Sequence, residues 1–136
     1  MDNQLIIYPV VINILLTLYL YEKSRRKTVR AYRNKDVNKG YAKLYKGEAP
    51  EYLEIYRQTL KNQFELPIIF YLLISLIVSI GKINFLDIIF AWLFVISRYV
   101  HCYIRLTSNY IPYRSKTFTA GVFLLILGWI NFLAKL

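Results

Sequence analysis

Apolar residues in this chain run in blocks too long for the core of a small soluble domain. Four of them, residues 5–21, 66–80, 84–104 and 118–133, stand out. A bilayer's hydrocarbon core takes roughly 17–25 helical residues to cross, and each block approaches or reaches that length. Backbone facing lipid must satisfy its own hydrogen bonds, so blocks of this length read as helices. The second block lengthens toward its N-terminus. Pro50 precedes a helix start, with Glu51 and Glu54 in the first turn, where carboxylates favour the helix dipole. The expected fold is an all-α integral membrane protein, a four-transmembrane-helix bundle. It forms one domain over 1–136, with spans at about 5–21, 51–80, 84–105 and 115–133. Only Asp2, Asn3 and Gln4 precede the first block, and no small-residue cleavage site follows it, so it reads as a retained helix rather than a signal peptide.

The net charge of +10 gathers in one place. Residues 22–61 hold twelve lysines and arginines, whereas the turn at Gly81–Asn84 holds one, Lys82. Short basic loops stay in the cytoplasm. That places loops 22–50 and 106–114 on the cytoplasmic side of an inner or plasma membrane, with both termini outside. Anionic membrane lipids add attraction to such a segment. Tyr32, Tyr41 and Tyr45 interleave the cations, but no nucleic-acid-binding motif accompanies them, so no nucleic acid is expected as a partner. Cys102 is the only cysteine and His101 the only histidine, which excludes an intrachain disulfide and supplies no spaced metal-ligand set.

Several polar groups interrupt the apolar blocks. Asn13 and Thr17 lie one turn apart and suit helix–helix hydrogen bonding. Glu65 stands at the mouth of the second apolar run, three residues after Asn62, so on a continuous helix the two share a face. A charge at membrane depth costs about 2.5 kcal/mol or more unless it is paired or faces a cavity. Arg98, His101 and Arg105 fall at i, i+3 and i+7 and form one polar stripe on an apolar helix. Arg25 and Arg26 close the first helix, and Arg114 and Ser115 open the fourth. Two readings of Glu65 stand side by side: a structural ion pair with Arg98 or Arg105, or a contact to a ligand. The excess of cation at this level favours an anionic ligand. Arg114 by itself also suits an ordinary cytoplasmic-loop arginine. His101 reads as lining a pocket more readily than as a base, Cys102 as a small hydrophobe, and Asp87 as a residue of an outer helix start.

Two stretches carry a family resemblance. RYVHCYIRLTSNYIPYRS, Arg98–Ser115, has an arginine, a histidine three residues on, and an Arg-Ser pair thirteen residues after that, with a proline two before Arg114. NQFE, Asn62–Glu65, supplies an Asn-x-x-Glu. Together they resemble the membrane-associated proteins in eicosanoid and glutathione metabolism, which include microsomal glutathione transferases and membrane prostaglandin E synthase. The likeness covers nearly the whole chain. It implies a homotrimer of four-helix protomers that binds glutathione as co-substrate between protomers near the cytoplasmic face. On that pattern Asn62 and Glu65 hold the amino and backbone groups of glutathione. Arg114 stabilises the thiolate, with Ser115 as a hydroxyl donor. Arg26, Arg98, His101 and Arg105 line the pocket or meet the carboxylates. The second substrate is a hydrophobic small molecule, an electrophile or a lipid hydroperoxide.

The chain departs from the family pattern at Gln58, where arginine is usual, at Leu60, at Arg105 in place of tyrosine, and at Phe118 in place of tyrosine. The implied activity is therefore a general glutathione-dependent transferase or peroxidase rather than an eicosanoid-specific one. The alternative is a non-catalytic membrane protein of the same fold that binds lipid or a partner helix.

Overall fold

The structure, a computed structural model, describes residues 4–136. Six helices follow in order: α1 (Ile7–Arg33), α2 (Lys39–Leu44), α3 (Glu51–Asn62), α4 (Leu66–Ile80), α5 (Phe85–Leu106) and α6 (Ile111–Leu133), with no strand among the described residues. Three segments are long and apolar enough to cross a membrane: Glu51–Ile80, Phe85–Leu106 and Ile111–Leu133. Their outer faces present Ile68, Leu72, Ile96, Phe123 and Ile130 to the surroundings, as lipid-facing helices do. Residues 5–21, expected as a fourth span, do not join these three. Asn13, Thr17 and three tyrosines dilute that stretch before Glu22 ends it.

Three expectations need correction. Residues 22–33 are not loop. They continue α1 through a run without glycine or proline, rich in good helix formers. The helix expected over 51–80 breaks at residues 63–65. Pro67 has no N–H to give to the carbonyl of Gln63, and its ring crowds that carbonyl, so the chain turns before α4 begins. Asn62 therefore ends one helix and Glu65 caps the next, and the single helical face expected for the two is lost. The loop expected over 106–114 is shorter. Pro112 sits in the first turn of α6, where proline is pre-set for a helix, so Arg114 and Ser115 lie within α6.

The main core lies between α4, α5 and α6. Phe70, Leu73, Ile74 and Ile77 meet Ala91, Phe94, Val95, Leu125 and Phe132, with the Phe70 and Phe94 rings stacked at 4.6 Å. α1 is fastened by hydrogen bonds: Asn13 Nδ2 donates to Tyr71 Oη at 2.8 Å and Tyr99 Oη donates to the Ile12 carbonyl at 2.7 Å. Asn13 thus serves helix–helix bonding. A second small core, Ala31, Val37, Tyr41 and Leu53, packs α2 and α3 against the end of α1.

α6 comes close to α4 at Gly128, where a Cβ would sit 3.0 Å from Leu73 Cδ2. Gly128→Val is expected to lower stability by about 1–3 kcal/mol through overpacking. A thermal melt in detergent checks this, with the outward-facing Ile130→Val as the neutral control.

Candidate functional site

α5 carries the centre of the site. Its polar stripe turns inward: Arg98 is 0% exposed and His101 3%, while Arg105 is half-buried. None of the three guanidinium nitrogens of Arg98 has a hydrogen-bond partner among the described residues. Its guanidinium lies 5.8 Å over the Phe118 ring. His101 Nδ1 lies 3.1 Å from the Arg114 carbonyl. A carbonyl only accepts, so the network assigns the proton to Nδ1 and leaves Nε2 as an acceptor. That Nε2 is buried and unpartnered. The bond joins α5 to the first turn of α6 and sets Arg114 beside the stripe. Arg114 Nη1 donates to Asn109 Oδ1 at 2.7 Å. Asn109 itself has left-handed backbone, φ 49°, which asparagine tolerates. Ser115 is exposed.

The α3–α4 break forms the opposite wall. Asn62 is half-buried and Glu65 exposed. The ion pairs among the described residues are Arg25–Glu22, Arg26–Glu22, Arg57–Glu54 and Lys135–Asp87, and Glu65 takes part in none. The structural pair with Arg98 or Arg105 is not made within the protomer. One residue of this wall, Gln63, escaped the sequence reading, and Gln58, noted there only as a departure from the family pattern, makes a contact that the sequence did not show. Gln63 is buried, donates Nε2 to Cys102 Sγ at 3.2 Å, and leaves Oε1 unpartnered. Gln58 accepts from Arg105 Nη2 at 2.8 Å. Gln58 stands one helical turn before Asn62, and that spacing was the available signal. Nothing in the sequence marked Gln63, because a residue at a helix break has no predictable facing. Cys102 is buried at the junction of α1 and α5, beside Leu16 and Leu20, as a small hydrophobe would be.

Arg26 lies apart. It is exposed on α1 and bonded to Glu22 at 2.6 Å, whereas the inner face of α1 is Asn13, Leu16, Leu20, Ser24 and Ala31. Arg25 and Arg26 together hold the Glu22 carboxyl down at about 2, so the pair stays ionised at neutral pH. Within one protomer, then, Arg98, His101, Arg105 and Arg114 converge from α5 and α6, with Asn62 and Glu65 at the facing helix ends. Three guanidiniums gather here, and the exposed Glu65 carboxylate pairs with none of them among the described residues. A buried guanidinium without an acceptor is costly, and an anion placed beside it relieves that cost. No cluster of three or more histidine, cysteine, aspartate or glutamate residues suits a metal among the described residues.

Comparison with known families decides the broader assignment. The family model described as MAPEG family matches residues 6–134. The chain belongs to the MAPEG family. No curated protein and no solved structure matches it. As a MAPEG member it is an integral membrane protein of the family of glutathione and eicosanoid metabolism. Two of the four positions at which this MAPEG chain departs from the expected pattern, Gln58 and Arg105, are in contact with one another. Where the expected pattern has an arginine, Gln58 instead accepts from the guanidinium that Arg105 extends from α5.

Proposed function

We propose that this MAPEG protein binds glutathione and uses its thiolate against hydrophobic electrophiles or lipid hydroperoxides. The observation that carries the reading is the buried, unpartnered guanidinium of Arg98 with Arg105 and Arg114 alongside. Glutathione has two carboxylates and one ammonium, and the cluster offers several cations and one unpaired acid, Glu65. Arg114 sits at the opening of α6, where its charge favours thiolate over thiol. A free thiol titrates near ~8.5 and a neighbouring cation lowers that value. Ser115 adds a hydroxyl donor beside it. Asn62 and Glu65 take the amino and backbone groups. His101, with Nε2 as an acceptor, lines the pocket.

The thiolate adds to an electrophilic carbon to form a thioether. Alternatively, two glutathiones reduce a hydroperoxide to an alcohol and water, leaving glutathione disulfide. Arg26 points away from its own protomer, which suits a site completed between protomers of a homotrimer. The basic segment keeps this end of the bundle in the cytoplasm, where reduced glutathione is supplied.

The test is a glutathione titration of detergent-purified protein at neutral pH, followed by thiolate absorbance in the ultraviolet. A saturable signal is expected, and Arg114→Ala is expected to weaken it at least about tenfold, as loss of a charge-assisted contact does. Absence of any signal at millimolar glutathione, from a folded and assembled parent protein, rules the reading out.

A further inference from the structure

The break between α3 and α4 is held inward by one side chain. Of residues 63–65, Phe64 and Glu65 are exposed and only Gln63 is buried. Pro67 removes the helical hydrogen bond that would otherwise fix the angle between the two segments, so side-chain contacts set it. Among the described residues, two hydrogen bonds tie this region to α5: Gln58 to Arg105 at 2.8 Å and Gln63 to Cys102 at 3.2 Å. The first is exposed, and water competes for both partners. The second is buried, with Leu16, Leu20, Leu60 and Leu106 around the cysteine. A buried polar group that loses its partner is left without water in its place. The Cys102 thiol can also donate to the amide oxygen, so either orientation of the amide keeps the link. Its position in the sequence is what matters for the site. Gln63 follows Asn62 by one residue and precedes Glu65 by two. Cys102 stands one helical turn from both Arg98 and Arg105, four residues after the first and three before the second. The bond therefore joins the middle of the wall that carries Asn62 and Glu65 to the middle of the cationic stripe.

We propose that Gln63, acting through Cys102, is a positioning residue that sets the register at which Asn62 and Glu65 face Arg98 and Arg105, and with it the affinity for glutathione. The assignment rests on the glutathione reading of the site. It separates binding from ionisation of the thiol. Arg114 is held from α6, by Asn109 and by the bond of its carbonyl to His101, and neither bond involves Gln63. Loss of the Gln63 link therefore weakens binding and leaves the charge state of bound glutathione as it was.

The experiment titrates glutathione into the full chain in detergent and reads both the half-saturating concentration and the plateau of thiolate absorbance, well below the melting temperature of each variant. Gln63→Met and Cys102→Ala are each expected to raise half-saturation about fivefold, the equivalent of one hydrogen bond, with the plateau unchanged. The double variant is expected to lose no more than either single one, because both remove the same link. Cys102→Ser keeps a partner for the amide and is expected to stay close to the parent. Thr59→Val removes a buried hydroxyl that bonds only within α3, to the Ile55 carbonyl, and is expected to bind as the parent does. Losses that multiply in the double variant, or an equal loss in Thr59→Val, would overturn the assignment. So would lower melting temperatures with unchanged half-saturation, which would make the bond structural only, or a lower plateau, which would place Gln63 beside the thiolate. A parent with no thiolate signal would overturn the glutathione reading and this assignment together, whereas a parent that binds no better than Gln63→Met and Cys102→Ala would overturn this assignment alone.

Discussion

Arg98→Met is expected to raise the melting temperature of the ligand-free protein by several degrees and to weaken glutathione binding at the same time. Mutations at buried residues usually destabilise, so the sign is informative. Arg98 is 0% exposed, and its Nε, Nη1 and Nη2 find no acceptor. The Phe118 ring at 5.8 Å offsets little of the lost hydration, since a desolvated cation–π contact contributes about 2 kcal/mol. The effective penalty for burying an ion is several kcal/mol, and replacing buried charge by an apolar side chain of similar volume often stabilises by about 1–4 kcal/mol. Methionine follows the arginine stem and adapts to irregular space. Arg98→Lys keeps a charge at the position and should show no such gain. Differential scanning fluorimetry of the assembled protein, with and without glutathione, reads both effects. A fall in melting temperature for Arg98→Met would show that the guanidinium has an acceptor in the assembly. The reading of Arg98 as a group awaiting an anion would then be wrong.

The largest loss of stability is expected for Asp87→Ala, at the far end of α5. The carboxylate is buried and accepts from the Asn84 backbone N–H at 2.9 Å and from Asn131 Nδ2 at 2.7 Å. Lys135 forms an ion pair with it. In return the Asp87 N–H donates to Asn84 Oδ1 at 2.9 Å, which completes a reciprocal cap on α5. Lys82 and Lys135 exchange bonds with each other's carbonyls at 2.9 and 3.0 Å. One side chain thus ties the α4–α5 turn to the end of α6. Alanine would strand the Lys135 ammonium and the Asn131 amide, and breaking a buried pair from one side costs about 3–5 kcal/mol. Asp87→Asn keeps part of the network and should lose less. Chemical or thermal denaturation of the two variants checks the order. Glutathione binding well below the melting temperature should be unchanged, because the site lies at the other end of the bundle. A loss under about 1 kcal/mol for Asp87→Ala would mean that Lys135 escapes to water, as exposed pairs allow.

These two residues also show how far the sequence could be read. The apolar runs required helices, since a membrane barrel strand is about ten residues of alternating polarity and these runs are longer and mostly apolar throughout, and α5 lies within a residue or two of its expected bounds. The stripe of Arg98, His101 and Arg105 was legible because helical spacing alone puts i, i+3 and i+7 on one face. The bonding role of Asn13 followed from a polar amide on an apolar helix. The family was legible in two short motifs.

Other features depended on which element packs where. Local spacing predicted that Glu65 shares a face with Asn62. Pro67 instead broke the helix and turned the carboxylate outward, unpaired. Asp87 looked like an ordinary helix-start acid, and became a buried anchor only because the end of α6 docks against that turn. The contact of Gln58 with Arg105 joins residues 47 apart in the chain. Periodicity reports the facing of a side chain on its own helix. Whether a charge there finds a partner depends on the rotation and depth of the neighbouring helix, which many weak packing contacts decide together, and which no single stretch of sequence encodes.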